Sequence, residues 1–146
     1  MDTAENGSIF DDYGNLRGTR GGGGDFWSGF KSTMQYAARG LKMAAGVKDF
    51  SHIEKHHLLS DKHQAYTPQY KEITDRYNFA LTQQENVVSL PGHQGRHTKA
   101  YHGFILCCLE ELNSIANGDS VIFVEGIRLL GEFIQENYWI PYARCK

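Results

Sequence analysis

The sequence predicts an α+β fold that is mostly helical, with a small pair of strands beside a histidine-rich helix. Apolar residues recur at helical spacing in three stretches, residues 26–45, 92–115 and 121–137. Two shorter stretches, residues 50–59 and 86–90, are typical of strands in length and pattern. Five of the seven histidines form two clusters, and this clustering indicates a chemical site; they are His56, His57, His93, His97 and His102.

The three helices have recognisable limits in the sequence. The first, residues 26–45, is expected to end at Gly46, and the second is expected to open after Pro91. The turn Asn117-Gly118-Asp119 separates the second helix from the third. The second helix is expected to bury an apolar stripe of Tyr101, Phe104, Ile105, Cys108, Leu109, Leu112 and Ile115.

The connection from Ser60 to Gln84 gives mixed signals. Thr67-Pro68 predicts the start of a short helix through Tyr77, with the proline at its first position. His63 is predicted to be a surface histidine. Three tyrosines could stack on nucleic-acid bases, although packing against the core is the favoured interpretation; they are Tyr66, Tyr70 and Tyr77.

Length and composition indicate one globular domain. The chain has 146 residues, of which 40% are hydrophobic and 22% charged. The glycine-rich residues 1–25 are interpreted as a flexible leader or linker, and residues 26–146 as the folded domain, with the histidine motif at about 52–115. No apolar run approaches the ~20 residues that span a bilayer, so stable membrane insertion is not expected. The polar N-terminus does not have the pattern of a signal peptide.

Cysteine and charge narrow the classes of function further. Three cysteines, with Cys107 and Cys108 adjacent, match neither a disulfide framework nor a zinc ribbon. At least one of the two is expected to be a buried helix residue. The net charge of −2 is unusual for a nucleic-acid binder. The excess acid lies in residues 103–146, which carry six acids and three bases, so the histidine region itself is not acidic. This distribution predicts a small phosphate footprint with weak sequence readout.

The spacing of the histidines predicts a metal site. On a helix, His93 and His97 are four residues apart and share a face, so two imidazoles could hold one ion. One of His56 and His57 could add a third ligand, and the other would be free to act as a base. Three ligands with open positions are typical of a catalytic site rather than a structural one. Since neighbouring strand residues point to opposite faces, the strand must end or bulge at this pair.

Two further residues belong to this prediction. The side-chain amide of Asn86 is expected to fix the ring of the basic histidine, because a catalytic imidazole usually has a partner on its other nitrogen. His102 lies off the apolar stripe and is expected to be exposed or to contact substrate.

The pattern resembles the HNH/endonuclease VII superfamily of ββα-metal (His-Me finger) nucleases, and within it the AHH branch of polymorphic bacterial toxins. The matching motifs are Lys55-His56-His57-Leu58-Leu59, Glu85-Asn86-Val87-Val88-Ser89-Leu90-Pro91 and His93-x3-His97-x3-Tyr101. Lys55 departs from the branch, whose name implies alanine there. The resemblance implies a ββα-metal core with flanking helices, and a metal-dependent endonuclease that hydrolyses nucleic acid, with DNA favoured.

The resemblance also implies the roles of the site residues. His56, His93 and His97 would hold one divalent ion, while His57 would take a proton from the attacking water. Asn86 would orient His57. Arg96 or Lys99 would neutralise charge in the transition state. Imidazoles suit zinc, nickel or cobalt, whereas phosphoester chemistry in cells often uses magnesium or manganese, so the identity of the metal stays open.

Two other classes of function compete with the nuclease. In a non-catalytic, metal-stabilised binding module for nucleic acid or protein, both members of the histidine pair would ligate the ion. In a helical toxin that acts on a membrane or a partner, the histidines would be incidental, and no stoichiometric metal is expected.

The nuclease interpretation carries expectations about partners and location. A toxin of this kind should travel with a cognate immunity protein and be attached to a larger delivery protein, either Rhs-like or a secretion-system component. The segment Asp12-Tyr13-Gly14-Asn15-Leu16 resembles the repeats of Rhs/YD-type toxin shells. The expected site of action is the cytoplasm of a target bacterial cell, reached through a specialised delivery system.

Overall fold

The computed structural model of the protein describes residues 25–43, 53–91 and 97–146. Helices make up 63% of it and the strands form small antiparallel pairs, so the predicted α+β, mostly helical class is confirmed. The predicted leader, residues 1–25, lies outside the described residues except for Asp25, the first residue of a short 3-10 turn.

The described helices and strands follow one another in the order α1 (Ser28–Arg39), β1 (Leu41–Met43), β2 (Ile53–His57), α2 (Tyr66–Thr74), β3 (Val87–Pro91), α3 (Lys99–Ala116), α4 (Ser120–Glu136) and β4 (Ala143–Cys145). Short 3-10 turns lie at Asp25–Trp27, Asp75–Tyr77, Gln84–Asn86 and Ile140–Tyr142.

Helix α3 is the centre of the domain, because α1, α2 and α4 all pack against it. Its apolar stripe follows the predicted spacing and is confirmed in all but its last member, since Ile115 is only half-buried. Cys108 is buried and Cys107 is exposed, as the sequence indicated. The buried stripe consists of Tyr101, Phe104, Ile105, Cys108, Leu109 and Leu112.

The start of α3 differs from the prediction. Thr98 has an extended backbone (φ −81°, ψ 163°), and its hydroxyl accepts a hydrogen bond from the backbone N–H of Tyr101 at 3.1 Å. This is an N-cap, so the helix begins at Lys99. The expectation that His97 lies within the helix is therefore wrong: His97 belongs to the segment that leads into it. The cap is held in place by the Thr98 hydroxyl, which donates to the carbonyl of Ala143 at 2.6 Å.

The end of α1 also differs from the prediction. The helix stops at Arg39, and the chain then forms β1, which pairs antiparallel with β4. Leu41 lies opposite Cys145, and the backbone N–H of Lys146 donates to the carbonyl of Gly40. The predicted helix to residue 45 is therefore wrong at residues 41–43, and its last two residues lie outside the described part of the chain. The apolar spacing continues through Leu41, but pairing with a strand about a hundred residues away determines the backbone there.

The predicted strand pair is confirmed. β2 and β3 are antiparallel, with Ile53 opposite Pro91 and His57 opposite Val87. Gly131 of α4 packs against Val88 and Leu58, so closely that an added Cβ would lie 3.0 and 3.3 Å from their side chains. The hydroxyl of Tyr101 donates to the carbonyl of Leu58 at 2.7 Å and ties the end of β2 to α3.

The long connection after β2 is ordered by α2. The predicted short helix through Tyr77 is confirmed as α2 followed by a 3-10 turn, although Pro68 is its third residue rather than its first. Tyr70 and Tyr77 are buried, so the prediction that they pack against the core is confirmed. Tyr77 stacks on Phe123 with ring centroids 4.1 Å apart.

The predicted turn between α3 and α4 is also confirmed. Asn117 and Gly118 have positive φ angles of 48° and 91°, which a left-handed helix end requires. The Asp119 side chain then caps α4 by accepting from the N–H groups of Val121 and Ile122. Across the described part of the chain, every helix is too short or too polar to cross a membrane.

The close approach of α3 and α4 predicts the effect of one substitution. A Cβ at Gly126 would overlap the side chain of the fully buried Leu112. We expect Gly126→Ala to lower the free energy of unfolding by about 1–3 kcal/mol, because the packed core must shift to admit a methyl group. Urea unfolding measures this change.

The matched control is Gly29→Ala on α1, where an added Cβ meets nothing within 4 Å. Alanine favours helix over glycine by up to about 1 kcal/mol, so this variant should be neutral or more stable. Equal stabilities for the two variants would contradict the packing that the structure assigns to Gly126.

Candidate nuclease site

Two histidines from different elements meet at the end of the β2–β3 pair. His56 lies on β2 and His97 lies just before α3, and the His56 Nδ1 and the His97 Nε2 are 3.1 Å apart. Their rings are stacked, with centroids 5.2 Å apart and an interplanar angle of 28°. The structure thus brings together two of the three predicted metal ligands, although they are 41 residues apart in sequence.

Burial keeps this pair neutral. Desolvation first, and then the neighbouring histidines with His56 foremost, lower the pKa of His97 to about 4. Desolvation also lowers the pKa of His56, while the carboxylate of Glu54 opposes that shift. Neutral imidazole is the form that binds a metal ion, so both rings are ready to act as ligands near neutral pH.

The geometry of the two nitrogens fits a shared divalent ion. Nitrogen ligands lie about 2.0–2.1 Å from zinc, so two tetrahedral ligands have nitrogens about 3.3 Å apart. The observed separation of 3.1 Å is close to this value. The other nitrogen of His56, Nε2, points away from this gap and does not serve the same ion; it is buried and lacks a hydrogen-bond partner within the described residues. The facing nitrogens are both imidazole nitrogens, a donor type that transition metals favour. The donor set present therefore fits a transition metal.

The third predicted ligand, His93, lies outside the described residues, as does Arg96. Among the residues that the structure does describe, no group of three His, Cys, Asp or Glu is placed to hold an ion. The complete ligand set therefore stays a prediction, and so does the role of Arg96.

His57, the predicted base, occupies the last position of β2 and is half-buried. Its Nε2 lies 3.9 Å from a carboxylate oxygen of Asp61, and it is close enough to His97 to influence that residue's pKa. β2 ends at His57, which meets the condition for His56 and His57 to serve one site. Sequence analysis missed Asp61; its position four residues after His57, in a bend, is the signal that could have found it.

Asn86 does not contact the ring of His57 as expected. It is fully buried, and its Oδ1 accepts from the backbone N–H of Leu59 at 2.8 Å. Its Nδ2 donates to the carbonyls of Leu59 and Leu81, at 3.0 and 2.8 Å. The side-chain amide of Asn86 thus hydrogen-bonds to the backbone. Asn86 fixes the chain that follows His57. The expected direct contact between Asn86 and the imidazole is wrong, because the side-chain amide bonds instead to backbone N–H and carbonyl groups.

A second group of rings adjoins the histidine pair. His102 is only 4% exposed, so the expectation that it is exposed is wrong. α2 packs over it: the hydroxyl of Tyr70 donates to the carbonyl of His102 and lies 3.2 Å from its Nδ1. Burial lowers the pKa of His102 to about 4. His63, predicted to be a surface histidine, is half-buried, and its ring centroid lies 4.5 Å from that of His102.

Comparison with known families identifies the class of protein. The sequence model of a nuclease family of the HNH/ENDO VII superfamily, with a conserved Ala-His-His motif, matches residues 37–126. Because this match spans more than half of the chain, the protein belongs to that nuclease family, and nucleic acid is its substrate. Nucleases of this superfamily generally use a divalent metal ion. Comparison with curated proteins and with solved structures gave no match.

Asn86 has a testable role in stability. In Asn86→Ala, backbone groups of Leu59 and Leu81 lose their partners in a buried bend. We expect the free energy of unfolding to fall by about 3 kcal/mol or more, because three backbone groups lose their partner and each buried polar group left without one costs about 1–3 kcal/mol. Urea unfolding of the metal-free protein measures the change.

The matched control is Asn137→Ala, which removes a single hydrogen bond, to the carbonyl of Phe133 at the end of α4. This variant should lose about 1 kcal/mol or less. Asn86→Asp keeps an acceptor for the Leu59 N–H but turns a carboxylate toward two carbonyls, so it should be nearly as damaging as Asn86→Ala. Equal losses in Asn86→Ala and Asn137→Ala would refute the role of this amide.

Proposed function

We propose that the protein is a metal-dependent endonuclease that hydrolyses phosphodiester bonds by general-base catalysis. The single observation that carries the proposal is the neutral His56–His97 pair, with facing nitrogens 3.1 Å apart, beside His57 at the strand end. His56 and His97 would hold the divalent ion together with His93. The bound ion supplies Lewis-acid stabilisation of the negative charge that develops on the phosphate and the leaving oxygen.

His57 is proposed as the base that takes a proton from water. Its half-exposed position gives water access, and the bend clamped by Asn86 limits its movement. When the ring becomes an imidazolium, the Asp61 carboxylate 3.9 Å from its Nε2 stabilises the new positive charge. Asp61 thus takes the supporting role that the sequence had suggested for the amide of Asn86.

DNA is the proposed preferred substrate, a preference that rests on the resemblance to the superfamily. The metal is proposed to be zinc, nickel, magnesium or manganese, and the all-imidazole ligand set supports the first two.

The nuclease proposal and the alternative of a metal-stabilised binding module differ in one respect. Only the enzyme would hydrolyse nucleic acid when the ion is bound.

Two histidine variants separate binding from chemistry. In His57→Ala, metal binding should survive, while cleavage falls roughly 10²–10⁴-fold, the usual contribution of a positioned base. In His97→Ala, metal affinity and cleavage should both fall, because a ligand and its contact with His56 are lost. Calorimetry with each metal and cleavage of plasmid DNA and of RNA measure the two quantities.

Lys31→Gln, an exposed change on α1, is the matched control and should bind metal and cleave as the wild type does. Metal uptake by the wild type without cleavage of either substrate would refute the enzyme and favour the binding module. A His57→Ala variant that loses metal but cleaves normally in excess metal would make His57 a ligand and refute its role as base.

The biological role is proposed to be that of a toxin acting in the cytoplasm of a target bacterial cell. Uncontrolled hydrolysis of nucleic acid is lethal to the cell that makes the enzyme, and this consequence of the activity supports the proposal. A cognate immunity protein would block the enzyme in its producer. A larger delivery protein, Rhs-like or part of a secretion system, would carry it to the target.

This role predicts a growth phenotype. Induced expression of the wild-type chain in bacteria that lack a neutralising partner should stop growth, whereas His57→Ala at equal protein level should be tolerated. Colony counts after induction measure the effect, and immunoblotting checks the protein level. Normal growth with soluble, cleavage-competent wild-type protein would argue strongly against the toxin role.

A further inference from the structure

An open cleft of about 730 Å³ adjoins the histidine pair. Its charged and titratable lining residues are Lys62, His63, His97, Lys99 and His102. His97 belongs both to this cleft and to the pair with His56, so a ligand in the cleft lies directly beside the proposed metal site. Clefts of this size are typical of bound small molecules or single nucleotides.

The charge of the cleft favours an anion. Lys62 and Lys99 are exposed, and neither forms an ion pair within the described residues. None of the described lining residues is Asp or Glu. Asp61, the acid next to Lys62, lines a different cavity of about 370 Å³. Two lysines without an opposing acid produce a local positive potential in a chain whose net charge is −2.

The hydrogen bonds of His63, one of the residues that line the cleft, fix which of its ring nitrogens carries the hydrogen. Its Nδ1 accepts from the backbone N–H groups of Ala65 and Tyr66, each at 3.1 Å. A nitrogen that accepts two N–H groups carries no hydrogen, so the neutral ring carries its hydrogen on Nε2. The neutral side chain therefore offers an N–H to a ligand.

The segment that carries Lys62 and His63 is held in place by Thr67. The Thr67 hydroxyl donates to the carbonyl of Ser60 at 2.7 Å and accepts from the backbone N–H of His63 at 2.8 Å. The N–H of Lys62 donates to the Ser60 hydroxyl. Such preorganisation lowers the entropy cost of binding.

We propose that this cleft binds a backbone phosphate next to the scissile one, with Lys62 and Lys99 as its cations and His63 as a hydrogen-bond donor. The proposal rests on the proposed nuclease function and adds to it a second phosphate site, which holds the strand in register with the histidine pair. Phosphate contacts of this kind position a nucleic acid without reading its sequence.

The test measures binding of a fluorescently labelled duplex DNA by anisotropy, in excess chelator so that metal and cleavage play no part. For duplex DNA, each neutralised phosphate contributes about 0.9 to the slope of log affinity against log salt concentration. Because Lys62 and Lys99 share one phosphate, the double variant Lys62→Gln/Lys99→Gln should reduce the slope by about 0.9 and weaken binding roughly eightfold at 0.1 M salt, and each single variant should show part of this loss. Lys31→Gln, an exposed lysine outside the cleft lining, is the matched control and should leave both quantities unchanged.

His63→Asn tests the donor separately. The asparagine Oδ1 can replace Nδ1 as acceptor for Ala65 and Tyr66, but the variant lacks the Nε2 hydrogen. Affinity should fall at every salt concentration while the salt slope stays that of the wild type, since no charge is removed. Circular dichroism checks that each variant remains folded.

The outcomes distinguish the two proposals. If the wild type binds and cleaves DNA but the double variant Lys62→Gln/Lys99→Gln behaves like Lys31→Gln, the second phosphate site is refuted and the nuclease function stands. If the wild type neither binds nor cleaves DNA or RNA with any divalent metal, the nuclease function itself fails, and the cleft proposal fails with it.

Discussion

The site depends above all on the buried amide of Asn86. Three hydrogen bonds run from this side chain to the backbone of Leu59 and Leu81, and its own carbonyl accepts from Leu58. These bonds close the long connection between β2 and β3 at the point where β2 ends. An unpaired buried backbone group costs as much as a lost hydrogen bond, so this bend would be unfavourable without the amide. His57 and Asp61 keep their positions because the chain between them cannot move freely.

Desolvation of the buried histidines is the second constraint on the site. Burial lowers the pKa of His56, His97 and His102 and so disfavours their protonated form. A neutral imidazole can bind a metal ion or pack against other rings. His57 and the cleft lysines are more exposed, as residues that meet water or phosphate must be. The boundary between the buried and exposed groups runs through His97, which pairs with His56 and also lines the cleft that Lys99 lines.

Apart from the β2–β3 pair, the parts of the fold that were predicted correctly are those in which neighbours in sequence are also neighbours in space. The stripe of α3 and the turn at Asn117 both depend on contacts within one or two helical turns. The errors arose where distant segments decide. Pairing with β4 places Leu41 in a strand instead of the predicted helix. The carbonyl of Ala143 accepts from the Thr98 hydroxyl and so fixes the N-cap that leaves His97 outside α3. Periodicity contains no information about these partners.

The sequence by itself determined the chemical class of the site: a histidine pair, an Asn-containing strand and a later histidine cluster in a fixed order, in a family of nucleases. The chemistry requires these residue types, and both the types and their order can be read from the sequence. Only the tertiary structure decided which atoms meet. It joined His56 to His97, gave His57 an acid in Asp61 and directed Asn86 to the backbone. It also buried His102 beneath α2 and placed two lysines beside the pair. These outcomes depend on how helices and strands pack, because burial and distance are properties of the folded chain and not of the order of its residues.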